Sequence, residues 1–270
     1  MADHGTDTQA GTHDLLVIGG GVAGLTAATF TARAGLETLV CTHGESILRR
    51  NAHLENMPGF PAGVNARLFA DMLRAQATRS GADHRSGRVV DLDGRLDDGF
   101  VASVETGGDD ASEGRASEVA ADRVIVASWA DVDYLEGLDV EIRAAGSKRY
   151  VATDEYGRTD VAGLYAAGRL AERYHQAVVA AGDAAETAIT AIHDSEVPFY
   201  NDWVVPEGYF TDRGRDVPPG CEEIDATEQR ARQAESRAAM QAYFAEPHED
   251  SQRTHPSLVD DERGRLDWDD

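Results

Sequence analysis

Residues 14–42, DLLVIGGGVAGLTAATFTARAGLETLVCT, decide the fold. Leu15 to Ile18 form an unbroken apolar run, the pattern of a strand buried on both faces of a parallel sheet. A glycine turn follows, then a helix-spaced segment, Gly35 as its stop, and a second apolar strand that ends at Thr42. In this strand–turn–helix context Gly19-x-Gly21-x-x-Gly24 predicts a dinucleotide site. Gly19 makes the tight turn, Gly21 leaves room for a pyrophosphate against the backbone, and Gly24 lets helix and strand pack closely. The free N–H groups of the first helical turn, at Val22 and Ala23, and the positive end of the helix dipole then face the anion. A glycine turn that holds no ligand is the competing reading.

Composition narrows the partners. Asp and Glu number 49 against 25 Lys and Arg, a formal net charge of -24 over 270 residues. Nucleic acid is excluded as a partner, because phosphate binding needs a basic stripe, and an anionic membrane surface is disfavoured by the same sign. Lys148 is the only lysine, and Ala, Gly, Asp and Glu dominate, which resembles a salt-adapted, haloarchaeal proteome. Cys41 and Cys221 are the only cysteines and form no C-x-x-C pair, so a local dithiol is absent. The opening residues 1–13, MADHGTDTQAGTH, have neither a basic n-region nor an apolar h-region and are read as a disordered leader. No apolar run is long enough for a membrane span. The expected location is cytoplasmic.

Further along, Asn65 caps a helix over residues 66–80 whose apolar face is Leu68, Phe69, Met72 and Leu73, with Gly81 beyond its end. Residues 87–128 alternate as a small β-meander that returns to a buried strand at Val124 to Ala127. Residues 129–149 show no periodicity. A last strand, Leu164 to Ala167, leads through Gly168 into a helix ending near His193. From Val197 the chain reads as a long ordered loop, followed by a mostly polar helix over residues 225–245 capped by Asp225 or Thr227. The final stretch, SQRTHPSLVDDERGRLDWDD, is read as mobile. His248 and His255 match no metal spacing, so no metal is expected.

The string GGGVAGLTAATFTARAGLETLVCT resembles the FAD-binding start of the low-molecular-weight thioredoxin reductases, in the pyridine nucleotide-disulfide oxidoreductase family. The likeness continues through HLENMPGFP at 53–61 and returns at GLYAAGRLAERYHQAVVAAGDAAETA, residues 163–188. It implies an α/β, doubly wound three-layer FAD-binding (Rossmann-like) domain over 14–193, in halves 14–128 and 150–193 joined by a bridge at 129–149. A C-terminal loop and helix extension occupies 194–270. It also implies FAD held by Gly19, Gly21, Val22, Ala23, Gly24, Thr42, Asn56, Gly168, Arg169, His175, Gln176 and Ala177. NAD(P)H or a redox protein would be the electron partner, and a homodimer the expected assembly. A helix N-terminus at Tyr174-His175-Gln176 would favour negative charge at the flavin's pyrimidine edge.

Departures accompany the resemblance. In that family an NADPH domain with a redox cysteine pair separates the two halves, where here about 20 residues, 129–149, stand. The family's Gly-Asp becomes Gly168-Arg169, its Ala-Thr-Gly turn becomes Ala127-Ser128-Trp129, and a glycine pair facing the ring becomes Glu45-Ser46. A charged hydrogen bond is worth about 1.5–3 kcal/mol, so the lost Asp weakens FAD by roughly tenfold to a hundredfold. Arg169 can reach the pyrophosphate instead or serve as a surface charge. The expected function is a flavoprotein oxidoreductase without thioredoxin reductase activity. The alternative is a non-catalytic nucleotide-binding or scaffold protein, in one form of which Trp129, Tyr200, Trp203, Tyr209 and Phe210 fill the flavin space.

With 24 excess negative charges, the fold should gain stability as salt shortens the Debye length toward roughly 3 Å at 1 M. Melting temperature should rise from low to molar KCl as well as NaCl. A melting point indifferent to salt would remove the salt-adapted reading.

Overall fold

The structure, a computed structural model, describes residues 12–106 and 115–250. The leader up to residue 11 and the tail from residue 251, with His255, lie outside them. β1 (Thr12–Ile18), α1 (Val22–Arg33) and β2 (Thr38–Thr42) make the first βαβ unit. A short pair, β3 (His53–Leu54) and β4 (Val64–Asn65), leads into α2 (Ala66–Arg79) and β5 (Asp83–Ser86). β6 (Arg88–Arg95), β7 (Gly99–Thr106) and β8 (Arg115–Val126) follow as a meander. The hairpin β9 (Ile142–Ala145) and β10 (Lys148–Val151) precedes β11 (Leu164–Ala166) and α3 (Ala177–His193). The extension contributes β12 (Trp203–Pro206), β13 (Cys221–Ile224) and α4 (Ala226–Tyr243).

The main sheet runs β5-β2-β1-β8-β7-β6, with β11 also paired to β8. β1 is parallel to β2 and β8, and β11 is parallel to the end of β8, while β6 and β7 are antiparallel additions. The expected meander strand and the expected buried strand are therefore one strand. β8 uses its first half to pair with β7 and its last residues to pair with β11, without a turn between. Asp122 and Arg123 sit inside the continuous strand.

Strand alternation sorts the core into two layers. Leu15 and Val17 point to the helices, where Ala27, Ala28, Ala184, Ala188 and Ala191 let α1 and α3 approach the sheet and each other. Leu16 and Ile18 point the other way, onto Phe100, Ala102 and Val104 of β7 and onto Val132 and Leu135 of the bridge. The three layers are thus helices, sheet, and meander with bridge. Phe100 is 1 % exposed, and truncating such a side chain to Ala costs about 3–5 kcal/mol.

Several local expectations need correction. The face of α2 centres on Ala66, Phe69, Ala70 and Ala77, all buried, whereas Leu68, Met72 and Leu73 are only half-buried. Its caps are as expected: Asn65 Oδ1 accepts from the Arg67 and Leu68 N–H groups, and Gly81 follows at φ +105°. The bridge is ordered by a 3-10 turn at Asp133–Leu135 and by the β9–β10 hairpin around Gly146. Four-residue strands leave too little alternation to read. The long loop after Val197 contains a parallel pair, β12 with β13, whose register brings Trp203 opposite Cys221.

The extension is tied down by charge more than by packing. Arg33 holds Asp202 bidentately at 2.6 and 2.7 Å, Arg79 meets Glu235 at 2.8 Å, and His248 meets Asp71 at 2.8 Å. Exposed pairs of this kind contribute about 0–1 kcal/mol each. Phe210 and Ile224 are its buried apolar anchors, and no residue of α4 is buried. Asp225 caps α4 by accepting from the Thr227 and Glu228 N–H groups. No helix among the described residues is long and apolar enough to cross a membrane.

Glu223 organises the turn between β12 and β13. Burial opposes its ionisation, but the N–H groups of Phe210, Thr211 and Gly208 and the Thr211 hydroxyl outweigh it and hold its pKa down at about 2. A folded pKa below the ordinary 4.5 adds stability above that value, and the contribution is lost as pH falls from about 4.5 toward 2. Glu223→Gln should therefore destabilise the protein at pH 7, with the gap narrowing as pH falls below 4.5 and closing only at about pH 2 and below, as read by denaturant titration at each pH. A gap independent of pH would show that the carboxylate is not the anchor.

Candidate functional site

Each glycine of the turn answers to a different neighbour. Gly19 has φ +118°, and a Cβ there would fall 2.4 Å from the Ala127 carbonyl oxygen. A Cβ on Gly24 would fall 1.8 Å from the Gly19 carbonyl oxygen, so any side chain would push α1 off β1. At Gly20, which the motif leaves free, a Cβ would meet Thr42 Oγ1 at 2.1 Å, so the Thr42 side chain would have to shift. Gly21 is the exception. A Cβ there would meet nothing nearer than Ser46 Oγ at 3.5 Å, because it would project into a cavity of about 810 Å³.

The helix ends around this cavity differ from the others in the chain. α2 and α4 are capped by Asn65 and Asp225, whereas α1 begins at Gly21 and α3 at Gln176 with no side-chain cap and no acid in the first turn. Gly21, Val22 and Ala23 line one part of the cavity, and Gln176 and Ala177 line another. Two sets of unsatisfied N–H groups and two positive dipole ends thus open on one space, the arrangement that favours an anionic or carbonyl-rich ligand.

At the α3 end, Asn56 Nδ2 donates to Gln176 Oε1 at 2.7 Å, which joins two predicted residues 120 positions apart. The His175 imidazole meets the Trp129 indole edge to face, with centroids 4.4 Å apart. Burial, and then the nearby Arg169 charge, depress the His175 pKa below its usual 6.5, so the ring is neutral at pH 7. Trp129 itself has φ +67°. That conformation suits the glycine of the resembling turn, and holding a bulky residue in it costs of order 1–3 kcal/mol. The neighbouring bonds enforce it: Ser128 Oγ donates to the Asp131 carbonyl and accepts from the Tyr134 hydroxyl, both at 2.7 Å.

Arg169 lines the cavity, but its guanidinium is turned to the wall. It donates to the Tyr150 hydroxyl and to the Arg173 carbonyl, and its centre lies 4.8 Å over the Tyr150 ring. Asp183, a candidate partner for it, is engaged elsewhere, accepting from the Gly168 N–H at 2.7 Å and from Arg173 Nε at 2.5 Å. Gly168 has φ +70°, and a Cβ there would fall 2.7 Å from Ala23 Cβ, so this glycine sets the spacing between the β11 turn and α1.

Of the predicted residues, Gly19, Gly21, Val22, Ala23, Thr42, Asn56, Arg169, His175, Gln176 and Ala177 line the one cavity, and Gly24 and Gly168 pack behind its wall. Sequence reasoning missed Arg50, Arg88 and Tyr134. No motif carries them, and Tyr134 reaches the wall only through the bridge. Three arginines, Arg50, Arg88 and Arg169, balance Glu45, Glu55 and Asp131 around the cavity, an even local charge in a chain of -24. Tyr200, Trp203, Tyr209 and Phe210 do not line it, so the extension's aromatics do not fill this space. Cys41 borders it from β2, with burial pushing its thiol up to about 11. No group of three His, Cys, Asp or Glu among the described residues could hold a metal.

Known proteins are similar to this chain in sequence and in fold. Residues 14–52 match the FAD binding domain family, and residues 65–184 match the pyridine nucleotide-disulphide oxidoreductase family. The thioredoxin reductase of Mycolicibacterium smegmatis is 38 % identical over 111 residues, covering 40 % of this chain and 34 % of that protein. The thioredoxin reductase of Aquifex aeolicus is 36 % identical over 95 residues, covering 34 % and 29 %. The chain thus spans about a third of the length of these curated relatives. Among solved structures, an oxidoreductase from Agrobacterium tumefaciens superposes with TM-score 0.59 at 16 % identity, covering 68 % of this chain and 98 % of that one. An atypical thioredoxin reductase from Desulfovibrio vulgaris Hildenborough gives 0.53 at 20 % identity, covering 68 % and 99 %. By sequence and by fold the chain is related to the FAD-binding pyridine nucleotide-disulphide oxidoreductases, thioredoxin reductases among them, and FAD is the cofactor that this fold holds.

Proposed function

We propose that the chain is an FAD-dependent oxidoreductase that receives electrons from transiently bound NAD(P)H or from a redox protein, and that it does not exchange thiols with disulfides. One observation carries this reading: two uncapped helices, α1 and α3, open on a single cavity at the glycine turn. Bound FAD would supply a ring able to take up a hydride or electrons. The chain's own part is positioning. Gly21 leaves the space for a diphosphate, the first turn of α1 supplies its N–H groups, and the Asn56–Gln176 pair offers amide donors and acceptors at the α3 end. His175, neutral at pH 7, can donate or accept a hydrogen bond there.

Thiol exchange needs an attacking thiolate beside a second sulfur. Cys41 is buried in β2 with a raised pKa, and Cys221 belongs to β13 in the extension. On composition and analogy we assign the activity to the cytoplasm of a salt-adapted cell, in a homodimer. A second reading, a nucleotide-binding or scaffold protein without turnover, is favoured by Trp129 and Arg169, which stand where the resembling enzymes have glycine and aspartate.

Purified protein reconstituted with FAD should be yellow and release the chromophore on heating. Gly21→Val should abolish binding, since the added methyls occupy the diphosphate's space. Unchanged flavin content in that variant would make the turn irrelevant to the ligand. Incubation with NADPH and thioredoxin should leave disulfides oxidised, and reduction that persists after repurification would overturn the thiol argument.

Arg169→Asp separates the two readings. As an oxidoreductase the variant should bind FAD about tenfold more tightly, through a charge-assisted hydrogen bond. As a scaffold it should lose stability with the Tyr150 contact and bind nothing, in either form. Titration of FAD into both proteins gives the answer.

A further inference from the structure

We infer that Trp129, braced by His175, is the wall against which the flavin ring of bound FAD stacks, so that the bridge between the two halves shields one face of the ring. The inference rests on the FAD reading of the cavity. Trp129 is half-buried, belongs to neither of the two hydrophobic layers that flank the sheet, and borders the cavity instead. A large apolar ring held outside the core at a left-handed backbone angle is doubly unfavourable unless something covers it. His175 meets it edge to face, and Trp129 lines the cavity.

The contact with His175 ties the indole to the α3 end of the cavity. His175 precedes Gln176 and Ala177, where α3 begins, and Gln176 is bonded to Asn56. In the FAD reading the diphosphate would lie at the α1 start, beside Gly21. A flat, electron-poor tricycle is the part of FAD that an indole complements by offset stacking. The hold on Trp129 is strong enough to keep the wall in place. Ser128 is bonded to the Asp131 carbonyl and the Tyr134 hydroxyl, and the Ala130 and Asp131 N–H groups both donate to the Ser128 carbonyl. The cavity keeps about 810 Å³ with the indole in place, so Trp129 borders the space without filling it. Tyr174, beside His175, stands 83 % exposed and marks an open rim by which a donor can enter.

Flavin fluorescence tests this without reference to turnover, because a stacked indole quenches an excited flavin and a benzene ring does not. Wild type, Trp129→Phe and Trp129→Gly are each reconstituted with FAD, with stoichiometry from absorbance and brightness from the emission of bound flavin. Wild type should bind FAD and be dark. Trp129→Phe should bind the same amount and brighten severalfold, since the wall stays and the indole is gone. Trp129→Gly should brighten as well and bind roughly tenfold more weakly, having lost an aromatic contact. Equal brightness in wild type and Trp129→Phe, at equal FAD content, would overturn the wall and leave the cofactor reading intact. FAD bound only by Trp129→Gly would overturn it too, by showing that the indole occupies the ring's place. No binding by any of the three would overturn the cofactor reading and the inference together.

Discussion

The close approach of α1 to the first strand is the constraint on which the rest of the molecule depends. Gly24 lies so near the Gly19 carbonyl that no side chain fits, and Gly19 is held as tightly under the Ala127 carbonyl. Gly168 repeats the condition against Ala23. Three contacts of backbone on backbone or on alanine therefore gather the carboxyl ends of β1, β8 and β11 at one edge of the sheet, with the start of α1 seated among them. Ligands in open parallel sheets bind outside those carboxyl ends, and the cavity lies there for that reason. A methyl group at any of the three positions would move the helix whose N–H groups make the site.

Electrostatics act on two scales here. Over the whole chain the charge is -24, which keeps the surface solvated and self-repelling. Around the cavity the signs are even, and the local field is set by helix ends. The contrast between capped and uncapped helices shows where the fold reserves its donors. Asn65 and Asp225 cap α2 and α4 with their side chains, while Gly21 and Gln176 give α1 and α3 no side-chain cap. Omitting an N-cap forgoes about 1 kcal/mol per helix, a cost that a bound anion offsets.

The glycine turn, the Asn65 cap and the α3 start could be read in the sequence because each is a local rule with a fixed spacing. Asn56 and Gln176 were legible only through resemblance, since nothing in the local pattern joins residues 120 positions apart. The meander strand and the buried strand expected at Val124 are one strand, β8. A strand whose two halves pair with different neighbours tolerates polar residues at the changeover, and alternation alone cannot show that. The β9–β10 hairpin and the β12–β13 pair were missed because four-residue strands carry one or two alternations at most. Arg169's contact with Tyr150 depends on the bridge folding back, and it was invisible for the same reason.

Two of the departures from the resembling family, at Trp129 and Arg169, are linked through neighbouring side chains. Tyr134 closes the hydrogen bond that fixes Ser128, and Ser128 fixes the left-handed turn that carries Trp129. Tyr150, on β10 just past the bridge, takes the Arg169 guanidinium, whose charge adds to burial in lowering the pKa of the His175 ring that touches Trp129. Replacing any one of these residues by its family counterpart would leave the others strained or unpaired. Trp129→Gly frees His175, and removing Arg169 strands the Tyr150 hydroxyl. Contacts within such a network do not add, so reversions should be coupled, with interaction terms of about 0.5–3 kcal/mol. That coupling explains how a tryptophan and an arginine can stand at a cavity that the family builds with glycine and aspartate. His175 and Tyr150 supply the partners that the two side chains need.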